Sequence, residues 1–184
     1  MALVAILDAC VLYPYHLRDF LIRLSIHGEL YQARWTEDIH EEWTRNLLKN
    51  RPELDRKALQ RTVELMNRLP NTLIKKEEYS SSISDIELPD ENDRHVLAAA
   101  ISAGANFIVT FNLKDFPAKS LNEFGVKAIS PDDFVAMLAH SSLESIERTL
   151  LDQLVSLKNP PMSLSELKEK LASLGLKKSM ELLK

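Results

Sequence analysis

The chain has a single cysteine, Cys10. No disulfide can close within it, and no cluster of thiolates can hold zinc. A reducing, cytoplasmic setting is therefore expected. The longest apolar runs, Ala2–Leu7 and Val96–Ile101, are core-sized and fall far short of the roughly 20 residues that cross a bilayer. No membrane association is expected from them. Asp8 interrupts the first run early and no basic stretch precedes it, so no secretory leader is expected either. Internal repeats and low-complexity segments are absent, and His16, His27, His40 and His140 have no spacing that suggests zinc. Nor is there an excess of positive charge. With 23 Lys and Arg against 27 Asp and Glu, the net charge of −4 by itself argues against a nucleic-acid binder.

What is present is a chain of 184 residues, long enough for one well-buried domain with an appendage. Leu3–Leu7 is a continuous apolar run of strand length, the pattern of a central parallel strand covered on both faces. It ends at Asp8. Leu17, Phe20, Leu21 and Leu24 follow at helical spacing in a helix stopped by Gly28. Leu30–Trp35 is a weaker strand candidate. Thr36 is placed to cap the next helix, with Glu37 and Asp38 at its positive end, and Pro52 breaks that helix. Leu54–Leu69 has one apolar helical face, Thr72–Ile74 reads as a short strand, and the polar, serine-rich Tyr79–Leu88 reads as loop. Val96–Ala103 predicts a helix stopped by Gly104, Phe107–Val109 a covered strand, Val126–Ile129 a last strand, and Pro131 starts a further helix. This alternation predicts an α/β domain with a mostly parallel sheet over residues 1–140. Residues 141–184 are leucine-rich and helical. They read as a C-terminal hairpin around Asn159-Pro-Pro161, with Ser163 or Ser165 as cap and Gly175 as interruption.

The acidic residues then fall into place. Asp8 ends the first strand, Glu42 lies on the helix after the second, Asp93 opens the helix before the fourth, and Asp115 follows that fourth strand. In a parallel sheet these positions share one edge, the edge where ligands bind. Carboxylates converging there repel one another, and a hard divalent cation with oxygen ligands, Mg²⁺ or Mn²⁺, neutralises them. The matching chemistry is hydrolysis of a phosphodiester. Between Trp43 and Lys76 nine basic residues, Arg45, Lys49, Arg51, Arg56 and Arg61 among them, face only three acids. A basic arm beside an acidic pocket suits a polyanion such as RNA, although charge runs of this kind are more often solvated helix faces.

Ile6-Leu7-Asp8-Ala9-Cys10-Val11-Leu12-Tyr13-Pro14, Asp90-Glu-Asn-Asp93-Arg-His-Val-Leu-Ala98 and Ile108-Val-Thr-Phe-Asn-Leu-Lys-Asp-Phe-Pro117 together resemble the PIN domain, in particular the VapC-like toxin ribonucleases of bacteria. The resemblance covers roughly residues 1–140, and the tail is similar to helical extensions on some members. It implies a three-layer α/β/α fold with a mostly parallel sheet of about five strands, and a Mg²⁺- or Mn²⁺-dependent endoribonuclease acting as the toxin of a toxin–antitoxin pair. A cognate antitoxin and a homodimer are implied with it. Asp8 matches the first metal-binding acid, Glu42 the second, with Glu41 adjacent, and Asp93 the third, with Asp90 nearby. The fourth falls on the Asn112/Asp115 turn, where many members carry aspartate at the position of Asn112, and Thr110 places a hydroxyl near the site. Cys10 stands where many members have asparagine or serine.

Two other readings follow from the same residues. A phosphoryl transferase working through an aspartyl phosphate needs a second aspartate where Cys10 stands. A catalytically inactive PIN-like scaffold binding RNA or protein needs only the fold. Singly, Asp93 reads as a helix cap and Asp115 as a turn residue. Asp8 is harder to dismiss, because a carboxylate at the end of a buried strand needs compensation. Cys10 reads as an inert core thiol, Trp35 and Trp43 as core aromatics, and His95 as a residue packed against the sheet.

Overall fold

The computed structural model describes residues 3–27, 29–158 and 160–183. Gly28, expected to stop a helix, and Asn159, expected in the tail's turn, lie outside them. The central strand is β1 (Val4–Leu7), whose Ala5, Ile6 and Leu7 are wholly buried. On one side it pairs in parallel with β2 (Gln32–Thr36), and on the other with β4 (Phe107–Val109). Beyond β2 lies β3 (Leu73–Ile74), and beyond β4 lies β5 (Lys127–Ile129), giving the order β3-β2-β1-β4-β5. The chain thus builds outward from β1 to one edge and then returns to its other flank. Such a reversal opens a crevice at the carboxyl ends of the two strands beside it, here β1 and β4.

Helices cover both faces of this sheet, as the alternation of strands and helices predicts. Asp8 caps a single turn, α1 (Ala9–Leu12), which leads to α2 (Tyr15–Ile26). The Thr36 hydroxyl accepts from the Ile39 amide at 3.1 Å and starts α3 (Glu37–Asn50). Asp55 caps α4 (Arg56–Asn67). The serine-rich stretch departs from expectation. It begins at the last residue of α5 (Lys76–Tyr79) and contains a 3₁₀ segment over Ser80–Asp85. Glu78 accepts from the Lys75 amide at 2.8 Å, which starts the turn, and Tyr79 anchors it by burying its ring and donating to Asp38 at 2.7 Å. A 3₁₀ turn (Glu91–Asp93) then leads into α6 (Arg94–Ser102). Gly104, at φ +59°, ends that helix by taking a left-handed conformation that costs glycine little. Ala105 then closes back on the Ala100 carbonyl at 2.9 Å. After β4 come α7 (Ala118–Leu121), β5 and α8 (Pro131–Ser141), the last capped by Ser130.

The tail forms α9 (Leu143–Ser156), α10 (Leu164–Ser173) and α11 (Lys177–Leu182), with a Ser163–Glu166 capping box opening α10. α9 lies along α2, where Gln153 donates to the His16 carbonyl at 2.9 Å. α11 packs on α8, where Ser179 donates to Asp132. Gly175, at φ +105°, turns the chain between α10 and α11, and a Cβ placed there would fall 2.7 Å from the ring of Phe111. The tail therefore reaches the segment that follows β4. Among the described residues no helix is long and apolar enough to cross a membrane.

A buried polar knot ties α3 to α4. The Trp43 indole donates to His40 Nδ1 at 2.9 Å, so His40 Nε2 carries the proton and donates to Asn67 at 2.9 Å, while Trp35 donates to the same Asn67 oxygen at 3.0 Å. Burial pushes His40 down to about 4. A histidine held below its unfolded value contributes stability above about pH 6.5 and loses it as pH falls through the folded value. The loss between pH 6.5 and 4 is at most roughly 3 kcal/mol at 1.36 kcal/mol per unit. The His40 ring is expected to titrate near pH 4 by NMR, with urea midpoints falling across the same window. A midpoint near 6.5 would show that the knot does not hold it neutral.

Candidate metal centre

Asp8 occupies the position just past β1, beside the switch in strand order, and its side chain is almost fully buried. Its two oxygens are satisfied by neighbours that the fold brings in from both directions. Oδ1 accepts from the Ala9 amide at 2.7 Å, which is the cap of α1. Oδ2 accepts from the Thr110 hydroxyl at 2.7 Å and from the Cys10 thiol at 3.2 Å. Thr110 follows β4, one step beyond the Leu7–Val109 pair, so strand register sets this contact. Burial first, and then the charge of Asp8, pushes the Cys10 thiol up to about 12, which keeps it protonated and donating. Its sulfur in turn accepts from the Phe111 amide at 3.3 Å, and the Asn112 amide donates to Thr110 Oγ1 at 3.0 Å. Cys10 is thus a structural thiol that ties α1 to the loop after β4.

The other acids gather round this fixed carboxylate. Asp93 is pushed up to about 7, first by burial and then by the charges of Asp8, Asp90, Asp115 and Glu42, in that order. It sits at the cap position of α6, yet its side chain makes no capping bond. The capping reading of Asp93 fails here, since Asp90 accepts from the Asn92 amide at 2.9 Å and starts the turn instead. Glu42 projects from α3 and is raised by burial and then by Asp8, with Arg45 lowering it. Its Oε2 lies 3.9 Å from Nε2 of His95, whose other ring nitrogen is buried without a partner among the described residues. Glu41 points elsewhere, mostly exposed and 3.5 Å from Arg45.

A short 3₁₀ turn over Leu113–Asp115 places the last pair. The Asp115 amide donates to the Asn112 carbonyl at 2.9 Å, and the Asp115 charge is among those felt by Asp93. Asn112 is exposed, and among the described residues its side chain makes no hydrogen bond. The basic residues lie to one side. Arg45 stands next to the acids, Arg51 is paired with Glu53, and Lys49, Arg56 and Arg61 are exposed on α3 and α4. Trp35 and Trp43 are wholly buried and offer no face to a base. His95, whose sequence position allows a ligand or an RNA contact but favours packing against the sheet, is mostly buried and stands beside Glu42.

With the side chains as they stand, no three His, Cys, Asp or Glu among the described residues are close enough together to hold a metal ion. The carboxylates are near enough to raise one another's pKa without chelating. Their chemistry nonetheless fits a hard cation. All the donors are oxygens, the Asp93 carboxylate makes no hydrogen bond among the described residues, and Arg45 is the cation that lowers Glu42 within this field.

A family model described as the PIN domain matches residues 4–114. The chain belongs to the PIN domain family. The matched span of this PIN domain takes in Asp8, Glu42, Asp93 and Asn112 and ends one residue short of Asp115. The chain is also similar to a protein of Mycobacterium tuberculosis named "Putative ribonuclease VapC50", with 39% identity over 71 residues. That alignment covers 39% of this chain and 42% of the relative, so the chain spans less than half of that protein's length. No solved structure matches this PIN domain significantly.

Proposed function

We propose that this PIN domain is a metal-dependent endoribonuclease, with Mg²⁺ or Mn²⁺ held by Asp8, Asp93 and Asp115 and with Asn112 able to contribute its amide oxygen. The observation that carries the reading is Asp93, raised to about 7 by burial and four neighbouring acids while lacking any capping bond. Strongly perturbed groups in a crevice mark functional sites, since an ordinary fold has no reason to gather such repulsion. A bound divalent cation supplies water of lowered pKa and offsets charge on the scissile phosphate. The chain's own residues do the rest. Asp8, held by Thr110 and Cys10, would be the fixed ligand of the cation. Asp93, which makes no capping bond, would hold the cation through its carboxylate. Glu42, half-buried and raised, is placed to take a proton from the attacking water. Arg45, Lys49, Arg51, Arg56 and Arg61 steer the RNA backbone.

The division of labour proposed is a nuclease unit over residues 1–140 and a helical extension over 141–184. The same reading makes the protein the cytoplasmic toxin of a toxin–antitoxin pair, bound by a cognate antitoxin and working as a homodimer. The relative's name, which describes a ribonuclease, and the family match support it. The test is cleavage of single-stranded RNA with Mn²⁺ and after chelation, run beside calorimetry of Mn²⁺ binding. Cleavage is expected with Mn²⁺ and not with EDTA, and saturating Mn²⁺ is expected to raise the melting temperature by mass action. The separation of the carboxylates favours a second reading, a scaffold that binds RNA or protein without cutting. Absence of Mn²⁺ binding together with absence of cleavage selects it.

A further inference from the structure

We infer that the cleft between the α1–α2 junction, the α3–α4 elbow and α10 is a nucleotide subsite that holds single-stranded RNA beside the acidic cluster. The inference rests on the RNA-cleaving reading and adds where the strand lies. The cleft has a volume of about 580 Å³, within the range of small-ligand pockets.

Its place in the fold ties it to the acids twice. Asp8 caps the start of α1 and Tyr13 caps its end, so about 7 Å of helix separates the buried carboxylate from the cleft wall. On the other side Leu174 lines the cleft, and the next residue, Gly175, packs on Phe111, whose amide donates to Cys10. The cleft is therefore joined to the acids through α1 on one side and through the Gly175–Phe111 contact on the other.

Its chemistry fits a nucleotide. The floor is apolar, and Tyr13 and Tyr15 stand at the mouth, with Tyr15 53% exposed at the first position of α2. An exposed ring on a rigid helix start is a platform on which any base can stack. Arg51 and Lys170 are the exposed cations that line the cleft, against one acid, Asp55, whose Oδ1 is engaged by the Lys57 amide. Arg18 lines it from a buried position over Trp43, with Nη1 donating to the Leu12 carbonyl. Burial lowers His16, and the charge of Lys170, which lines the same cleft, lowers it further. Arg51 keeps donors free beyond its pairing with Glu53. Tyr15 and His16 also line a second cavity of about 530 Å³, together with Lys158 of the tail. Tyr15 and His16 thus line both cavities, with one lysine of the C-terminal extension lining each, Lys170 in the first and Lys158 in the second.

The experiment titrates the full chain with a five-nucleotide 2′-O-methyl RNA, which resists cleavage, and follows affinity by fluorescence anisotropy at several salt concentrations. Tyr15→Ala is expected to weaken binding about tenfold while Tyr15→Phe restores it, because the ring and not the hydroxyl is used. Lys170→Glu is expected to weaken binding and to flatten the salt slope by about one. On a cleavable RNA both variants are expected to raise KM far more than they lower kcat. Thermal melts near wild type show that the fold is kept. Wild-type affinity in Tyr15→Ala and Lys170→Glu overturns the subsite, even where the protein cleaves RNA. Binding that depends on both residues in a protein that never cleaves RNA supports the subsite and overturns the catalytic reading. No RNA binding by the wild type, or displacement of the RNA by an acidic leucine–glutamate peptide seated on Tyr15, overturns the subsite in favour of no ligand or a protein partner.

Discussion

Asp8→Asn is expected to lower RNA cleavage by about a hundredfold or more while leaving the thermal melt within a few degrees of wild type. The first half follows from the position of the carboxylate. It is the acid held rigidly from two sides, by Thr110 at 2.7 Å and by the Ala9 amide at 2.7 Å, so no neighbour can replace it. Removing one preorganised electrostatic group from an active site, such as a single oxyanion-hole donor, costs about 10²–10³ in rate in other enzymes. The second half follows from the partners. An amide oxygen still accepts from Ala9, and the Thr110 hydroxyl can turn to accept from the new amide nitrogen. A third consequence separates this account from simple damage. Asp8 is the largest charge contribution to the raised Asp93, so its removal should bring the Asp93 carboxyl down toward the ordinary range in the metal-free protein. NMR titration of the Asp93 carboxyl in wild type and variant measures this directly. An Asp93 titration unchanged by Asp8→Asn would mean that the two carboxylates do not share a site, whatever the activity.

Trp43→Ala is expected to be the most damaging single change to stability, at about 3–5 kcal/mol. Its indole is wholly buried, lies under the Arg18 guanidinium at 4.5 Å from the ring centre, and donates to His40. Truncation leaves a cavity, removes the cation–π contact and strands His40 Nδ1 without a donor. Against a total stability of about 5–15 kcal/mol for a domain, this leaves little margin. Trp43→Phe keeps most of the volume and loses the hydrogen bond, and should cost about 1–2 kcal/mol. Urea denaturation of the three proteins checks the series. A loss below about 1 kcal/mol for Trp43→Ala would show that the knot can repack. Because Trp43 is the neighbour of Glu42, the same anchor sets which way Glu42 faces.

Much of the frame was legible because local chemistry decided it. The apolar run before Asp8 could only be a covered strand, Thr36 had the side chain to start α3, and Gly104 had the backbone freedom to end α6. The serine-rich stretch was not legible as structure, since its order depends on Tyr79 finding Asp38 across 41 residues. The single turn α1 was missed for a related reason. It is too short to show periodicity and exists because Asp8 caps it. Strand order is written in no local pattern, so the pairing of β1 with both β2 and β4 had to come from the folded chain. At the site, the position of each acid along the chain was readable, but the failure of Asp93 to cap its own helix was not. That failure depends on Asp90 reaching Asn92 first. The Cys10 position shows the limit most plainly. A thiol between two oxygens looks like an inert core residue until the Phe111 amide is found on its other side.

The contact between Asp8 and Thr110 spans 102 residues of chain. Such long-range pairing is slow to form and comes late in folding. A chain still being synthesised carries Asp8 and Glu42 from an early stage, yet it has neither the hydroxyl that locks Asp8 nor the 3₁₀ turn that brings Asp115 until β4 has been made and has paired. The nascent polypeptide therefore passes through most of its synthesis with only part of its acidic cluster and no assembled site. Order of manufacture alone delays the assembly of the acidic site until the domain is nearly complete.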